Sequence, residues 1–269
     1  MRVPEEVRRC VVFLCLPTTS IDGQAGFSFV GTAFFVGLPS RKKEGVSYIY
    51  LVTAKHVAER LAGKPFLIRV NNTRGSSEFI RGEGITWFTH PTDDLVDAAV
   101  IPYAPPRDLV DFKFVTLGTF LSDEIMQGKQ IGIGDEVFIT GLFVHASGSQ
   151  RNLPIIRMGN IAMIPNEPIP TDLGNIDAYL IEARSIGGLS GSPAFVRATS
   201  PVGLGDVFLL GLMHGHWDIP PEEKNDFLLR GDFFGSVNMG IAIVIPAKKI
   251  LEVLNHPSLV KQREELDEK

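Results

Sequence analysis

The sequence predicts an all-β fold. Short runs rich in Val, Ile, Phe and Tyr recur along the chain, and clusters of Gly, Pro, Asn and Ser separate them. Short strands with turn signals at regular intervals are typical of β-sandwiches and β-barrels. A clear helical pattern occurs only near the end, where Ile250, Leu251, Val253 and Leu254 would form one apolar face after Pro246.

Taken in order, the strand-like runs form two sets, separated by a linking stretch at residues 115–132 that could begin a helical turn at residues 121–124. In the first set, charged residues 41–45 and Asn- and Gly-containing residues 71–75 are predicted turns, and residues 57–62 a short helix. The predicted strands cover residues 11–16, 27–37, 48–53, 66–70, 79–87 (a strand pair) and 97–103 in the first set, and residues 136–143, 155–163, 178–183, 192–196, 207–212 and 237–245 in the second.

The composition is that of an ordinary soluble globular protein. Of the 269 residues, 44% are hydrophobic and 21% are charged, which is enough apolar material for a sizeable core. The formal net charge of -5 argues against nucleic acid as a main partner, because such proteins favour a basic surface. No apolar run approaches the roughly 20 residues that a membrane helix needs, so no membrane partner is expected. Residues 261–269 are expected to form a charged, frayed tail.

The two cysteines indicate a reducing compartment. Cys10 and Cys15 lie close together in one predicted strand, and their odd spacing would place them on opposite faces, where they could not form a disulfide. The apolar run at residues 10–16 is short and no clean small-residue cleavage site follows it, so a secretory signal is not expected. We therefore expect a cytoplasmic protein.

A loop rich in glycine and serine is the first candidate for chemistry. The segment Gly-Gly-Leu-Ser-Gly-Ser-Pro at residues 187–193 lies between two apolar runs. Glycines allow backbone angles that other residues avoid, so the N–H groups of Gly188 and Ser190 can point at one site beside the Ser190 hydroxyl. Acyl transfer requires this combination of a nucleophile and an oxyanion hole. The alternative is a glycine-rich hairpin without chemistry.

A serine nucleophile needs a base and a group that orients the base. His56 follows the apolar run at residues 48–52, where it should lie at the rim of a sheet. Asp97 opens an otherwise apolar strand, where a carboxylate is unfavourable unless it is paired, and the His56 imidazole is a suitable partner. Asp93 and Asp94 are rival acids, but they lie in a polar turn.

Three segments together resemble the His, Asp and Ser blocks of trypsin-like serine peptidases, in that family's chain order. They are Thr-Ala-Lys-His at residues 53–56, Asp-Ala-Ala-Val at residues 97–100 and Gly-Leu-Ser-Gly-Ser-Pro at residues 188–193. Gly-Thr-Ala-Phe-Phe-Val at residues 31–36 is similar to the strand that precedes the family's histidine. Residues 134–137, 158–161 and 240–246 resemble second-barrel strands of the HtrA-like branch, so the resemblance spans roughly residues 8–255.

The resemblance implies two six-stranded antiparallel β-barrels of chymotrypsin type with a short C-terminal helix and no PDZ domain. Residues 1–118 would form the barrel that carries His56 and Asp97, and residues 119–269 the barrel that carries Ser190. It also implies a serine endopeptidase that works through an acyl-enzyme intermediate, needs no cofactor and cuts a restricted set of proteins or peptides. A regulatory protein partner is a further expectation. The alternative is a catalytically silent trypsin-fold module that binds proteins.

Three residues are candidates for binding the substrate. The offset of Arg184 before Ser190 places it, by resemblance, in the pocket for the residue that precedes the cut, where a cation would favour an acidic or polar side chain. His214 and His216 lie close to the point where glutamyl and picornavirus-type peptidases carry a pocket histidine. Alternatively, Arg184 faces solvent and His214 supports Asp97.

Two further features have weaker implications. The pair His214 and His216 could suggest a metal site, but no third ligand has supportive spacing, so no metal is expected. The insertion at residues 218–235 could be a lid or a partner-binding loop, or a loop held on the core by its aromatic residues.

Overall fold

Strands make up most of the regular structure, as the sequence predicts. The computed structural model describes residues 3–19, 23–82, 84–171, 174–184, 187–199, 205–219 and 237–269. In the first half, the strands are β1 Val11–Thr19, β2 Ala25–Pro39, β3 Ser47–Thr53, β4 Leu67–Asn71, β5 Ser77–Arg81, β6 Ala99–Pro102 and β7 Val115–Thr116.

These seven strands form one sheet around β2. Six of them follow the antiparallel order β5, β4, β1, β2, β3, β6, and β7 joins by pairing parallel to β2. Residues 30–38 of β2 are buried without interruption, so the apolar run faces protein on both sides of the sheet. The strand pair predicted at residues 79–87 is wrong, because among the described residues 79–82 and 84–87 only β5 is a strand, and it ends at Arg81.

The second half contains a closed barrel. Its six strands follow the order β12, β15, β14, β13, β8, β9, and all their pairings are antiparallel. The prediction of two six-stranded barrels is therefore met in the second half only, since the pairings among the described residues do not close the first sheet. The strands are β8 Glu136–Gly141, β9 Ile155–Met163, β10 Ile169–Thr171, β11 Gly174–Ile176, β12 Tyr179–Glu182, β13 Pro193–Arg197, β14 Val207–Ile219 and β15 Val237–Pro246, of which β10 and β11 form a separate hairpin.

Helices occur between strands and near both ends of the chain. Three of them were predicted: one follows β3, one follows Ser122 and one follows Pro246. Ser122 caps its helix, because its hydroxyl accepts the Ile125 N–H at 3.2 Å. Among the described residues, no helix has the length and apolarity needed to cross a membrane. The helices are α1 Glu5–Arg9, α2 Lys55–Leu61, α3 Asp123–Gly128, α4 Ala247–Leu254 and α5 Pro257–Glu268.

The frayed tail predicted at residues 261–269 is wrong, because α5 extends to Glu268 and lies against the first sheet. The Arg263 guanidinium donates to the Tyr50 hydroxyl at 2.9 Å, and the Tyr48 hydroxyl donates to the Asp267 carboxylate at 2.5 Å. Leu259 is fully buried. Polar contacts with β3 thus hold a helix whose sequence looks like a solvated tail.

One apolar core runs through both halves of the chain. It includes Phe13, Phe34 and Leu51 from the first sheet together with Phe138 and Phe195 from the barrel. A second cluster, built around Ile139, Ile161 and Val244, fills the barrel interior. The joint core fixes the position of the first sheet relative to the barrel, and the candidate site lies where they meet.

The cysteines depart from the predicted placement but remain thiols. Cys10 caps the C-terminal end of α1 instead of lying in β1, and Cys15 lies within β1. Both are buried and free. Burial raises the pKa of each thiol to about 12.

Candidate active site

His56 is the second residue of α2, which starts two residues after β3 ends. Val57, Ala58 and Leu61 of this short helix are buried, so packing fixes its orientation. The His56 side chain is left at the edge of the core and is 34% exposed. A half-buried imidazole at a strand end is both held in place and accessible, as a general base requires.

Asp97 lies two residues before β6 and is only 3% exposed. Its Oδ1 accepts the main-chain N–H of His56 at 2.9 Å, and its Oδ2 lies 2.8 Å from His56 Nδ1. The same Oδ2 lies 2.5 Å from Nδ1 of His214 in β14. Burial alone would raise the pKa of Asp97, but hydrogen bonds from His214 and His56 outweigh it, and the pKa lies below its ordinary value. Asp97 is therefore an anion that both imidazoles face.

The rival acids are engaged elsewhere. The Asp94 carboxylate pairs with the Lys55 ammonium at 2.7 Å and is 95% exposed. Asp93 Oδ1 accepts the main-chain N–H of Leu95 at 3.0 Å. Of the three acids considered from the sequence, only Asp97 has a described hydrogen bond with His56.

Ser190 lies on the loop that links β12 to β13. Its hydroxyl donates to the main-chain carbonyl of His214 at 3.3 Å. Within the described residues, it makes no hydrogen bond with His56. The His56 and His214 rings nevertheless lie edge to face, with centroids 5.7 Å apart, so His214 contacts both His56 and Ser190.

Thr32 of β2 ties the Ser190 loop to the first sheet. Its hydroxyl donates to the carbonyl of Gly188 at 2.8 Å and accepts the N–H of Leu142 at 3.0 Å. Its own N–H donates to the carbonyl of Ser190 at 3.0 Å. The sequence pattern did not single out Thr32, although a lone hydroxyl in the buried run at residues 30–38, like the lone acid at Asp97, is a signal that a polar partner must exist.

Solved structures share this architecture, whereas no protein-family model and no curated protein matches the chain. The MamO protease domain from Magnetospirillum magneticum, in its apo form, superimposes with a TM-score of 0.54 at 15% identity, over 91% of this chain and 96% of its own. Deg5 superimposes with a TM-score of 0.50 at 14% identity, over 92% of this chain and 88% of its own. The chain has the fold of trypsin-like serine peptidases.

The predicted oxyanion donors of this trypsin-like chain lie on a glycine-dependent loop. Gly188 has φ +100° and Gly191 has φ +80°, a region that favours glycine. A side chain at Gly191 would also collide with the Thr32 carbonyl and the Thr53 hydroxyl. Among the described residues, the N–H groups of Gly188 and Ser190 donate to no acceptor.

A cavity of about 480 Å³ lies beside His214 in this trypsin-like fold. His216 and Trp217 also line the cavity, and the ring of His214 faces Asp97. Arg184 is exposed and is not among the residues that line this cavity. The cavity is lined by Pro170, Thr171, His214, Gly215, His216, Trp217 and Ile243.

The contact between His214 and Asp97 was considered from the sequence only as an alternative to substrate binding. Of the insertion at residues 218–235, the structure describes only residues 218 and 219, so the predicted lid or partner-binding loop lies outside the described residues.

Proposed function

We propose that this chain is a serine endopeptidase in which Ser190 is the nucleophile, His56 the general base and Asp97 the group that orients the base. The observation that carries the proposal is the pair of hydrogen bonds between one buried carboxylate and His56. One hydrogen bond, of 2.9 Å, holds the main-chain N–H of His56, and the other, of 2.8 Å, holds its imidazole ring. An ionised acceptor at Nδ1 puts the proton there and leaves Nε2 free to accept another.

The first chemical step needs a small movement of Ser190. Its hydroxyl has to leave the His214 carbonyl, 3.3 Å away, and turn to Nε2 of His56. Substrate binding would have to bring about this change, and catalytic hydrogen bonds are commonly long or misaligned before substrate binds. Oγ then forms a bond to the substrate carbonyl carbon, and His56 takes the proton. The imidazolium is stabilised by Asp97 and returns the proton to the leaving amine.

The loop would stabilise the charge that develops on the substrate. The carbonyl oxygen becomes an oxyanion in the tetrahedral intermediate, and the N–H groups of Gly188 and Ser190 are the proposed donors. Thr32 supports them, because it holds the carbonyls of both residues. One such donor contributes about 3 kcal/mol to transition-state stabilisation.

The substrate in this proposal is an extended protein or peptide. The cavity beside His214 would take a side chain near the cut, with Trp217 and Ile243 as apolar walls and His216 as a polar contact. We further propose that the enzyme prefers substrates with an acidic or polar residue before the cut. Arg184 would be a second contact to that residue. A peptide library profiled with the purified protein tests it, and cleavage after Lys or Arg would contradict it.

Labelling with a fluorophosphonate tests the activity without knowledge of the substrate. The expected result is one adduct on Ser190, located by peptide mass spectrometry, and none in Ser190→Ala. His56→Ala should lower the labelling rate by several orders of magnitude, since the base and nucleophile act as a unit. A native, folded protein that forms no adduct on Ser190 would contradict the proposal.

The second candidate is a trypsin-fold module that binds proteins without cutting them. The bond from Ser190 Oγ to the His214 carbonyl favours it, because that hydroxyl makes no described hydrogen bond with His56. In that case Ser190 stays unlabelled, while Ser190→Ala retains full affinity for whatever peptide the wild-type chain binds.

A further inference from the structure

The His56, Asp97 and His214 side chains together have the ligand set of a metal site. One ligand atom from each lies within 4.8 Å of the other two. Two imidazole nitrogens with one carboxylate oxygen bind zinc in several hydrolases. Sequence spacing could not reveal the set, since α2, the segment before β6 and β14 each supply one member.

We propose that His56, Asp97 and His214 bind one Zn²⁺ ion and that the bound ion switches hydrolysis off. Zinc has no strong geometric preference of its own and accepts nitrogen and oxygen ligands together. The site lacks the soft sulfur ligands that would select Cu(I), and its two imidazoles disfavour Mg²⁺ and Ca²⁺.

The present distances are close to those that zinc requires. His56 Nδ1 and His214 Nδ1 lie 2.8 and 2.5 Å from Asp97 Oδ2. Two ligands of one tetrahedral zinc lie about 3.4 Å apart, given metal–ligand bonds of about 2.1 Å. Each imidazole nitrogen therefore has to move away from Asp97 Oδ2 by less than about 1 Å, which small side-chain rotations supply. The ion would replace the protons that now lie between the imidazoles and the carboxylate.

The surroundings supply the other parts of such a site. Asp97 Oδ1 accepts the His56 N–H at 2.9 Å, so the carboxylate is held by an outer hydrogen bond while Oδ2 is left for the metal. Asp97 is 3% exposed, and a buried carboxylate gains from a cation. The cavity lined by His214, Gly215 and Trp217 adjoins one of the three ligands, and a water molecule from it would take the fourth position.

The inhibitory part of this inference rests on the proposed function. A metal on His56 Nδ1 places the ring proton on Nε2, the atom that has to accept the Ser190 proton. It also takes up the Asp97 oxygen that would stabilise the imidazolium. Zinc binding and proton transfer therefore exclude each other at this imidazole, and a chelator should restore activity.

Zinc titration of the full chain, stripped of metal by a chelator, tests the site by calorimetry. We expect one high-affinity Zn²⁺ per chain in the wild type. In His214→Ser the affinity should fall by at least about 100-fold, since loss even of a group that only orients a ligand weakens metal binding by about 10–100-fold. The matched control is His145→Ser, because His145 is exposed and its described contact is the Phe143 ring.

Parallel labelling with a fluorophosphonate separates this inference from the proposed function. Stoichiometric zinc that blocks labelling of Ser190, with binding lost in His214→Ser only, supports both. Labelling that zinc leaves unchanged, or zinc affinity equal in the two variants, overturns the inference and leaves the peptidase intact. Zinc that binds and depends on His214 in a protein that never labels supports the site and contradicts the peptidase.

A spectroscopic measurement on the wild type keeps the test decisive if His214→Ser does not fold. Co²⁺ in place of zinc should show the intense visible absorption of a four-coordinate ion, and zinc should displace it. A weak, six-coordinate spectrum would mean surface binding only and would overturn the inference.

Discussion

Asp97 Oδ2 and His214 Nδ1 lie 2.5 Å apart, so one carboxylate oxygen contacts two imidazoles. The main chain of His214 also accepts the Ser190 hydroxyl at 3.3 Å. His214 thus contacts the proposed nucleophile with its backbone and the proposed orienting acid with its ring. Under the proposed function, His214 would act on the chemistry through these two residues, as a positioning residue.

His214→Phe should slow the labelling of Ser190 by a fluorophosphonate by about 10–100-fold, the equivalent of one charge-assisted hydrogen bond. The ring volume is kept, but Asp97 loses one of its donors and its carboxylate is less well fixed. His214→Asn keeps an N–H donor and should stay within a few-fold of the wild type. Equal labelling rates in the Phe variant and the wild type would show that His214 does not position Asp97.

Thr32→Val should lower both stability and labelling. The substitution keeps the shape of the side chain but leaves the Gly188 carbonyl and the Leu142 N–H without the partner they now have. An unsatisfied buried group costs about 1–3 kcal/mol, which corresponds to a drop in Tm of about 3–10 °C for a chain of this size. Thermal unfolding followed by circular dichroism measures it.

Thr32→Ser is the matched control, because it keeps the hydroxyl and removes one methyl group. Its labelling rate should stay near that of the wild type. If the Val and Ser variants label equally fast, the hydroxyl does not support the loop that carries Ser190.

Local patterns in the sequence were enough to find these candidate side chains, because each differs in chemical character from the residues around it. Ser190 lies in a glycine-rich loop between apolar runs, and Asp97 is an acid in an apolar stretch. The contacts that join them span the chain: His214 and Asp97 are 117 residues apart, and Thr32 and Gly188 are 156 apart. No local periodicity encodes such pairs, which depend on how the sheet packs against the barrel.

Contacts between distant residues also account for the wrong prediction of the tail. Residues 261–269 are rich in charge, and charge alone predicts a solvated tail. Their helix is held by Tyr48 and Tyr50 of β3, which are distant in sequence. Barrel closure in the first half depends likewise on which edge strands meet, and strand propensity says nothing about that.

Gly188→Ala should reduce the labelling of Ser190 by about 100–1,000-fold, the usual effect of losing one oxyanion donor. Gly188 has φ +100°, and a Cβ there would lie 3.1 Å from the Leu142 side chain and 3.2 Å from its carbonyl. An alanine would therefore turn the peptide and misdirect its N–H. Gly187→Ala is the matched control, since a Cβ at Gly187 meets nothing within 4 Å. A similar loss in both variants would mean that the effect is general to the loop and that Gly188 has no special part in it.

Cys10 and Cys15 should resist alkylation in the native protein. With a pKa of about 12, each thiol has about one part in 10⁴ as thiolate at pH 8, and burial also blocks the reagent. Iodoacetamide followed by intact-mass measurement should therefore add no group to the folded chain and two groups after denaturation. The rate of the first addition then measures local opening around these two residues, because the reagent can reach a sulfur only when the structure that buries it opens. Rapid addition of one group under native conditions would contradict the burial of these thiols, and a mass two units lower that resists alkylation after denaturation would reveal a disulfide.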